Sequence, residues 1–237
     1  MLTTLDAVLD HVAVAVPLDG RADRWWGEEL NAGSVSGGRN GVFTARQYRL
    51  GGGGKLELLS PDPGDSSAQN FVRAFIDRFG TAIHHLTLKV ADLPVALGVL
   101  ESAGLDVVDA ALDDPHWREA FLRPKQVGGL VVQVAWSDGG DEEWSRRIGF
   151  PATPPAPDTP VLLGPRLRHP DLAAARRLWT VLGAQVSEDG GRLHCRWPVS
   201  PLDVEVVAGA PAGPVGLRMT GISPRPAEHG VCPAIVD

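Results

Sequence analysis

The sequence has little cysteine, no long apolar run and no excess of positive charge. Its two cysteines, Cys195 and Cys232, lack paired metal-ligand spacing, which excludes a cysteine-based zinc site and gives no reason to expect a disulfide framework. No apolar run approaches the roughly 20 residues that a bilayer span needs, and the N-terminus lacks the charged-then-apolar pattern of a signal peptide. We therefore expect no membrane association and, by default, a cytoplasmic protein.

The charge balance is acidic, with 22 lysines and arginines against 29 aspartates and glutamates and a formal net charge of -7. Binding nucleic acid requires clustered basic residues, so a nucleic-acid partner is excluded. A phosphate-binding loop is also excluded, because no lysine-serine or lysine-threonine pair opening a helix follows the glycine run at 51–54. The expected partner is a small molecule.

Two stretches of the chain, residues 7–60 and 81–136, share one order of predicted elements: a strand, a helix and three further strands. Aligning the two copies matches His11 with His85 and Glu57 with Gln133. Such a unit cannot bury its sheet face alone, so neighbouring copies must pair. We predict an α+β fold in which paired βαβββ modules form a half-open barrel, followed by a degenerate second pair.

Five prolines in the stretch 150–160 predict a semi-rigid linker. The expected organisation is therefore a metal-binding domain at 1–150, a linker at 151–160 and a degenerate, metal-free module at 161–237. In that module Glu205 takes the place of Glu57, and we expect it to point at solvent or at a dimer contact. The positions matching His11 and His85 fall near Leu163 and Gly216.

Two helices are marked by their first residues. Ser66 or Ser67 is predicted to cap a helix from about Ala68 to Phe79, and the phenylalanines at 71, 75 and 79 form a stripe expected to pack in the core. Asp92, followed by a proline in the first turn, is predicted to cap the helix after the second histidine strand.

Four polar residues on predicted strands carry the chemistry. The alternation of strand side chains turns all four inward, and buried polar groups are costly unless something satisfies them. A divalent cation would do so, since two imidazoles, a carboxylate and an amide oxygen suit Zn, Co, Ni, Mn or Fe(II). Such a site leaves positions for water or substrate, as metal-assisted catalysis requires. The residues are His11, Glu57, His85 and Gln133.

The segments LDHVAVAV, KLELLSP, TAIHHLTLKV and FLRPKQVGGLVVQVAW resemble the vicinal-oxygen-chelate superfamily, which includes glyoxalases, bleomycin resistance proteins and dioxygenases. Within it, roughly residues 7–136 are most similar to the methylmalonyl-CoA epimerases. The resemblance implies that His11, Glu57, His85 and Gln133 bind one divalent metal. It also implies that the metal holds two substrate oxygens and stabilises an enolate while a proton moves at the adjacent carbon.

The sequence departs from the epimerases at two positions. They usually carry a glutamate on the last strand, where this chain has Gln133, so the acidic ligand is expected to be Glu57. Their catalytic base precedes a Gly-Val pair, and Asn40 stands there instead. Glu57 and His116 are therefore the candidates for acid–base catalysis.

These features predict a metal-dependent isomerase or lyase, epimerase-like or glyoxalase-like, that moves a proton next to a carbonyl or thioester. Lys125 and Trp117 are candidates for contacting the substrate, expected to be an acyl-CoA or a 2-oxo compound. The sequence leaves open the native metal, the identity of the base, and whether the chain is a monomer or a homodimer.

Two alternatives stay open. The first is an iron-dependent ring-cleaving dioxygenase, which uses two histidines and one carboxylate, although its carboxylate normally lies on the last strand. The second is a metal-free small-molecule binding or resistance protein of the same fold. Such proteins typically lose the histidines that this chain keeps.

Overall fold

The structure is a computed structural model that describes residues 3–67 and 69–237. It confirms the predicted α+β fold built from repeated βαβββ modules. The strands form one eight-stranded and one six-stranded sheet. Among the described residues, no helix is long and apolar enough to cross a membrane.

The first module begins with a strand and a short helix that continues as a π-helical segment, and three strands complete it. Its elements are β1 (Ala7–Ala15), α1 (Arg21–Asp23), the π-helical segment Arg24–Glu29, β2 (Gly33–Arg39), β3 (Phe43–Arg49) and β4 (Lys55–Pro61). A further helix, α2 (Phe71–Phe79), follows.

The second module repeats this order with a longer helix. Its elements are β5 (Ala82–Val90), α3 (Leu93–Ser102), β6 (Val107–Ala111), β7 (Trp117–Leu122) and β8 (Val131–Ser137). Asp92 caps α3 as predicted, because its side chain accepts a hydrogen bond from the Val95 amide at 3.0 Å. A short helix, α4 (Asp141–Arg147), comes next.

The third module is complete and the fourth is not. The elements are β9 (Val161–His169), α5 (Leu172–Val181), β10 (Gln185–Asp189), β11 (Arg192–Arg196), β12 (Asp203–Ala208), β13 (Gly213–Thr220) and β14 (Ile235–Val236). The fourth copy contributes β13 and the two-residue β14, which pair in parallel.

The strand order of the larger sheet is β2-β3-β4-β1-β5-β8-β7-β6, and that of the smaller sheet is β10-β11-β12-β9-β13-β14. In each complete module the first strand pairs in parallel with the last, as β1 does with β4 and β9 with β12. The modules of the larger sheet meet at their first strands, β1 and β5.

Packing divides the chain into two compact units, each made of separate stretches. The first comprises Met1–His11, His85–Asp138 and Gly164–Val215. It contains α3 and α5 with the strands β6 to β8 and β10 to β12. The second comprises Val12–His84, Gly139–Leu163 and Gly216–Asp237, and it contains β2 to β4, α2 and α4.

The start of α2 differs from the prediction. Asn70 caps the helix, accepting hydrogen bonds from the amides of Val72 and Arg73, so the prediction of Ser66 or Ser67 was wrong; the predicted start at Ala68 lies outside the described residues. Val72 and Ile76 are the buried residues of the helix. Phe71 and Phe79 are 45% and 55% exposed, so the predicted core role was wrong for these two, whereas Phe75 is half-buried and packs against the core cluster.

The proline-rich stretch is held against the first module. The Thr153 amide donates to the carbonyl of Ser34, and the Ala156 amide donates to that of Asn31. A Cβ placed on Gly33 would lie 2.4 Å from the Thr153 carbonyl oxygen, so only glycine admits this backbone approach. Several hydrogen bonds thus fix the stretch along the start of β2.

Candidate metal centre

The four predicted ligands lie on four consecutive strands of the larger sheet, β4, β1, β5 and β8. Glu57 pairs in register with Ala13, two residues beyond His11 on β1. On the other side, Gln133 pairs with Thr87, two residues beyond His85 on β5. Side chains two residues apart on a strand share a face, so this register directs the four side chains to one face of the sheet.

Apolar side chains alternate with the ligands along each of these strands and occupy the opposite face. They are almost fully buried, with exposures between 0% and 3%: Val12, Val14, Leu56, Leu58, Leu86, Leu88, Val132 and Val134. The polar side chains cannot exchange places with these core residues without burying charge in an apolar layer. Core packing therefore fixes the direction of the ligands.

Three of the four predicted ligands form a cluster. One ligand atom from each of His11, Glu57 and His85 lies within 4.8 Å of the other two. His11 and His85 are 1% and 6% exposed, while Glu57 is half-buried. Two imidazole nitrogens and one carboxylate oxygen at this spacing are a donor set that fits a divalent transition metal.

Neighbouring side chains orient two of these ligands. Asp10 Oδ2 lies 2.7 Å from His11 Nδ1, and a carboxylate accepts, so Nδ1 donates; Nε2, which lies 2.9 Å from the Thr87 hydroxyl, is the nitrogen that could bind a metal. The Gln47 amide donates to Glu57 Oε2 at 3.1 Å across the register pair of β3 and β4.

The fourth predicted ligand, Gln133, is joined to His11 through Thr87. The Thr87 hydroxyl donates to Gln133 Oε1 and lies 2.9 Å from His11 Nε2. Thr87 is fully buried and Gln133 is 8% exposed. The amide oxygen of Gln133 therefore faces the side of the sheet on which His11 lies.

Glu119 on β7 is a member of this site that sequence reasoning missed. Its Oε2 accepts hydrogen bonds from Gln133 Nε2 at 2.6 Å and from Trp117 Nε1 at 2.7 Å. Glu119 lies two residues after Trp117, so the two side chains share a face of β7. This spacing from Trp117, a candidate substrate contact, was the only sequence signal for Glu119. Its link to Gln133 depends on the register of β7 with β8, which the sequence does not show.

The remaining predicted site residues lie at different distances from the cluster. Trp117 is connected to it through Glu119, and Lys89 Nζ lies 5.4 Å from the centre of the Trp117 ring. His116 is exposed, with Nδ1 2.7 Å from Asp138 Oδ2. Lys125 is exposed in the loop before β8. The structure thus brings Trp117 towards the site and gives no contact that joins His116 or Lys125 to it.

The second histidine of the pair has a different environment. His84 packs against the rings of Phe71 and Phe75, with centroid separations of 5.7 and 4.7 Å. Burial lowers the pKa of His84 to about 4. His84 is therefore neutral near pH 7 and belongs to an aromatic cluster, whereas His85 is a member of the cluster with His11 and Glu57.

The third module carries an ion pair at the equivalent position. Glu205 pairs in register with Arg166, as Glu57 does with Ala13, and the Arg166 guanidinium donates to the Glu205 carboxylate. Glu205 is 4% exposed, so the prediction that it points at solvent was wrong. The same register places Gly164 where His11 stands. In the third module, Arg166 therefore neutralises Glu205, and a glycine takes the place of the histidine.

Comparisons with known proteins agree with this geometry. The profile of the glyoxalase/bleomycin resistance protein/dioxygenase superfamily matches residues 10–121. No curated protein sequence matches the chain significantly. Among solved structures, the chain is similar to the methylmalonyl-CoA epimerase from Mycobacterium tuberculosis, with 26% identity and a TM-score of 0.50 over 59% of this chain and 94% of that one.

Two other solved structures match more of the chain. A hypothetical protein from Staphylococcus aureus has a TM-score of 0.65 at 10% identity, over 97% of this chain and 99% of that one. A mutant of 4-hydroxymandelate synthase from Streptomyces coelicolor has a TM-score of 0.60 at 11% identity, over 90% and 70%. At these identities the likeness shows the fold alone. The superfamily match covers residues 10–121, slightly less than half of the chain, and that part is similar to the glyoxalase/bleomycin resistance protein/dioxygenase superfamily.

Proposed function

We propose that the protein is a metal-dependent enzyme that moves a proton at the carbon next to a carbonyl or thioester, as an epimerase or glyoxalase does. The observation that carries this proposal is the cluster of His11, Glu57 and His85, whose ligand atoms lie within 4.8 Å of one another. The similarity to a methylmalonyl-CoA epimerase at 26% identity supports the reaction class.

The four ligand residues have distinct parts. His11 and His85 would hold the ion through neutral imidazoles, Glu57 would contribute the negative charge, and Gln133 would add an amide oxygen. A divalent ion held there would supply the Lewis acidity that makes a proton next to a carbonyl more acidic. The buried ligand residues would limit the access of water to the reacting atoms.

We assign the proton transfer to Glu57. It is the carboxylate of the cluster, it is half-buried, and the hydrogen bond from Gln47 holds its Oε2 in place. A carboxylate in this position can act as the general base that takes a proton from the carbon next to the carbonyl or thioester. His116 is the weaker candidate, because it is exposed and its described partners are Asp138 and Asp114.

The proposed substrate is an acyl-CoA thioester or a 2-oxo compound. Either offers a carbonyl oxygen to a metal and carries an acidic proton on the adjacent carbon. The thioester is preferred because the relative at 26% identity is a methylmalonyl-CoA epimerase. Trp117 and Lys125 remain the proposed substrate contacts, with Trp117 closer to the ligands.

Isotope exchange tests the reaction. The protein, loaded with Co²⁺ or Mn²⁺, would be incubated in deuterated water with methylmalonyl-CoA and, separately, with methylglyoxal and glutathione. We expect deuterium to enter next to the thioester, and Glu57→Gln to abolish this exchange. Absence of exchange or isomerisation with both substrates, from a protein shown to hold metal, would overturn the assignment.

A second candidate has an observation in its favour. Two histidines and one carboxylate are the donor set of non-haem Fe(II) oxygenases, and His11, His85 and Glu57 match it. Loading with Fe²⁺ under anaerobic conditions, followed by admission of oxygen with catechol, discriminates the two. Oxygen consumption without deuterium exchange would favour the dioxygenase.

A further inference from the structure

We propose that Glu119 is a positioning residue that turns the oxygen end of the Gln133 amide towards the metal centre. This inference rests on the proposed metal site. It assigns a role to a carboxylate that belongs neither to the ligand cluster nor to the proton-transfer residues.

Hydrogen bonding to Glu119 determines which end of the amide faces it. Glu119 Oε2 lies 2.6 Å from Gln133 Nε2 and 2.7 Å from Trp117 Nε1. The Trp117 indole nitrogen can only donate, so Glu119 Oε2 is a hydrogen-bond acceptor. The NH₂ group of Gln133 must therefore point to Glu119.

The other end of the amide then faces the site. Gln133 Oε1 accepts from the hydroxyl of Thr87, and the same hydroxyl lies 2.9 Å from His11 Nε2. Thr87 pairs in register with Gln133 and is fully buried. The amide oxygen is thus linked, through the Thr87 hydroxyl, to Nε2 of His11.

Glu119 is itself held in place by a chain of contacts. Trp117, which donates to it, lies under the Lys89 ammonium at 5.4 Å from the ring centre. Lys89 Nζ is 3.9 Å from Asp10 Oδ1, and Asp10 Oδ2 is 2.7 Å from His11 Nδ1. These contacts form a closed ring, in which the Asp10 carboxylate is hydrogen-bonded to His11 and the Glu119 carboxylate to Gln133.

An amide ligand needs such a partner more than a carboxylate ligand does. The two ends of a glutamine side chain have nearly the same shape, but only the oxygen can bind a cation. A glutamate in the same place would offer an oxygen at either end. Substitution of a residue that is hydrogen-bonded to a metal ligand commonly lowers the metal affinity by about 10-fold to 100-fold.

The test compares Co²⁺ binding by the full chain before and after Glu119→Gln. We expect calorimetry to show an affinity lower by about tenfold or more, and the visible absorption of bound Co²⁺ to change because the ligand set changes. Glu101→Gln, which alters an exposed carboxylate on α3, is the matched control and should leave both readouts unchanged.

A rescue variant separates positioning from a general loss of structure. In Glu119→Gln combined with Gln133→Glu, the new glutamate has oxygen at both ends and accepts a hydrogen bond from the new amide. We expect this double variant to regain tight binding and the absorption spectrum of a four-ligand site. If both variants are folded by circular dichroism and binding is not rescued, the positioning role of Glu119 is overturned.

The outcomes distinguish this inference from the proposed metal site. If the unaltered chain binds no Co²⁺, both proposals fail. If the unaltered chain binds Co²⁺ and Glu119→Gln binds it with the same affinity and spectrum, the metal site stands and the role of Glu119 is overturned.

Discussion

At the scale of single residues, the direction of each side chain along its strand decides whether it joins the ligand cluster or packs elsewhere. His84 and His85 are neighbours in sequence, yet His84 packs against Phe71 and Phe75 while His85 belongs to the ligand cluster. The period of two residues along a strand accounts for the difference. Adjacent histidines in this chain therefore have unrelated roles.

A paired substitution tests this division of roles. We expect His85→Gln to lower the affinity for Co²⁺ by more than about 100-fold, because it removes a proposed ligand rather than a residue that is hydrogen-bonded to a ligand. The matched control, His84→Gln, should keep the affinity of the unaltered chain. Equal losses in the two variants, measured by calorimetry, would contradict the assignment of His85.

Sequence reasoning proposed the individual ligands but not the residues around them. His11, Glu57, His85 and Gln133 were proposed because the internal repeat puts polar residues at matching positions of alternating apolar strands. Thr87 and Glu119 were missed, because their contacts depend on the register of β5 with β8 and of β7 with β8. Register arises from the packing of whole strands, which a single strand sequence does not specify.

At the scale of secondary-structure elements, caps and turns depend on contacts made by distant residues. Asn70 displaces the predicted serine caps of α2 because its side chain has more partners than a serine hydroxyl can have. Besides accepting from two helix amides, it donates to the Val42 carbonyl and to Asp65. Sequence alone offered several capping residues and could not rank them.

The role of Asn70 can be measured by equilibrium unfolding. We expect Asn70→Ala to lower the free energy of unfolding by about 2 kcal/mol, because it removes a cap and the two hydrogen bonds that the buried Asn70 side chain donates. Ser66→Ala should change it by less than about 0.5 kcal/mol. A larger loss of unfolding free energy for Ser66→Ala than for Asn70→Ala, measured by urea titration, would contradict Asn70 as the cap and favour Ser66.

Asp62, in the turn after β4, predicts a dependence of stability on pH. The Arg39 guanidinium and the Gly64 amide lower the pKa of Asp62 from 3.8 to about 2. Because the folded-state pKa is below the unfolded value, the stabilisation is present above about pH 4 and is lost as the pH falls through 2.

The variant Asp62→Asn should therefore be less stable than the unaltered chain at pH 6, and the difference should shrink as the pH falls towards 2. Urea midpoints measured from pH 6 to pH 2 test this expectation. A constant difference between the two proteins over that whole range would contradict the role of the Arg39–Asp62 pair.

At the scale of the whole molecule, repeated modules carry different chemistry at equivalent positions. In the first module, Glu57 belongs to the ligand cluster. In the third, Glu205 is 4% exposed and bonded to Arg166. The predicted α+β modules are confirmed, while the division into domains at 1–150 and 161–237 stays a prediction. The third module has Arg166 at the position of Ala13 and Gly164 at the position of His11, so an ion pair replaces the ligand cluster there.

The ion pair of the third module predicts a loss of stability without a loss of metal. We expect Glu205→Gln to lower the free energy of unfolding by about 3 kcal/mol, because it removes the buried carboxylate that neutralises the partly buried Arg166. Glu188→Gln, which alters an exposed pair with Arg176, should have an effect of less than about 1 kcal/mol. A loss of Co²⁺ binding in folded Glu205→Gln would contradict the metal-free role of this module.

The measurement that tests the central claim most directly is the metal content of the purified chain. Among the described residues, one group of histidine and acidic side chains has the spacing of a metal site. We therefore predict about one divalent ion per chain after dialysis against Zn²⁺, Co²⁺, Ni²⁺ or Mn²⁺, a rise in melting temperature on loading, and loss of both in the double variant His11→Gln and His85→Gln. A chain that retains no ion and gains no thermal stability from any of these metals would contradict the account.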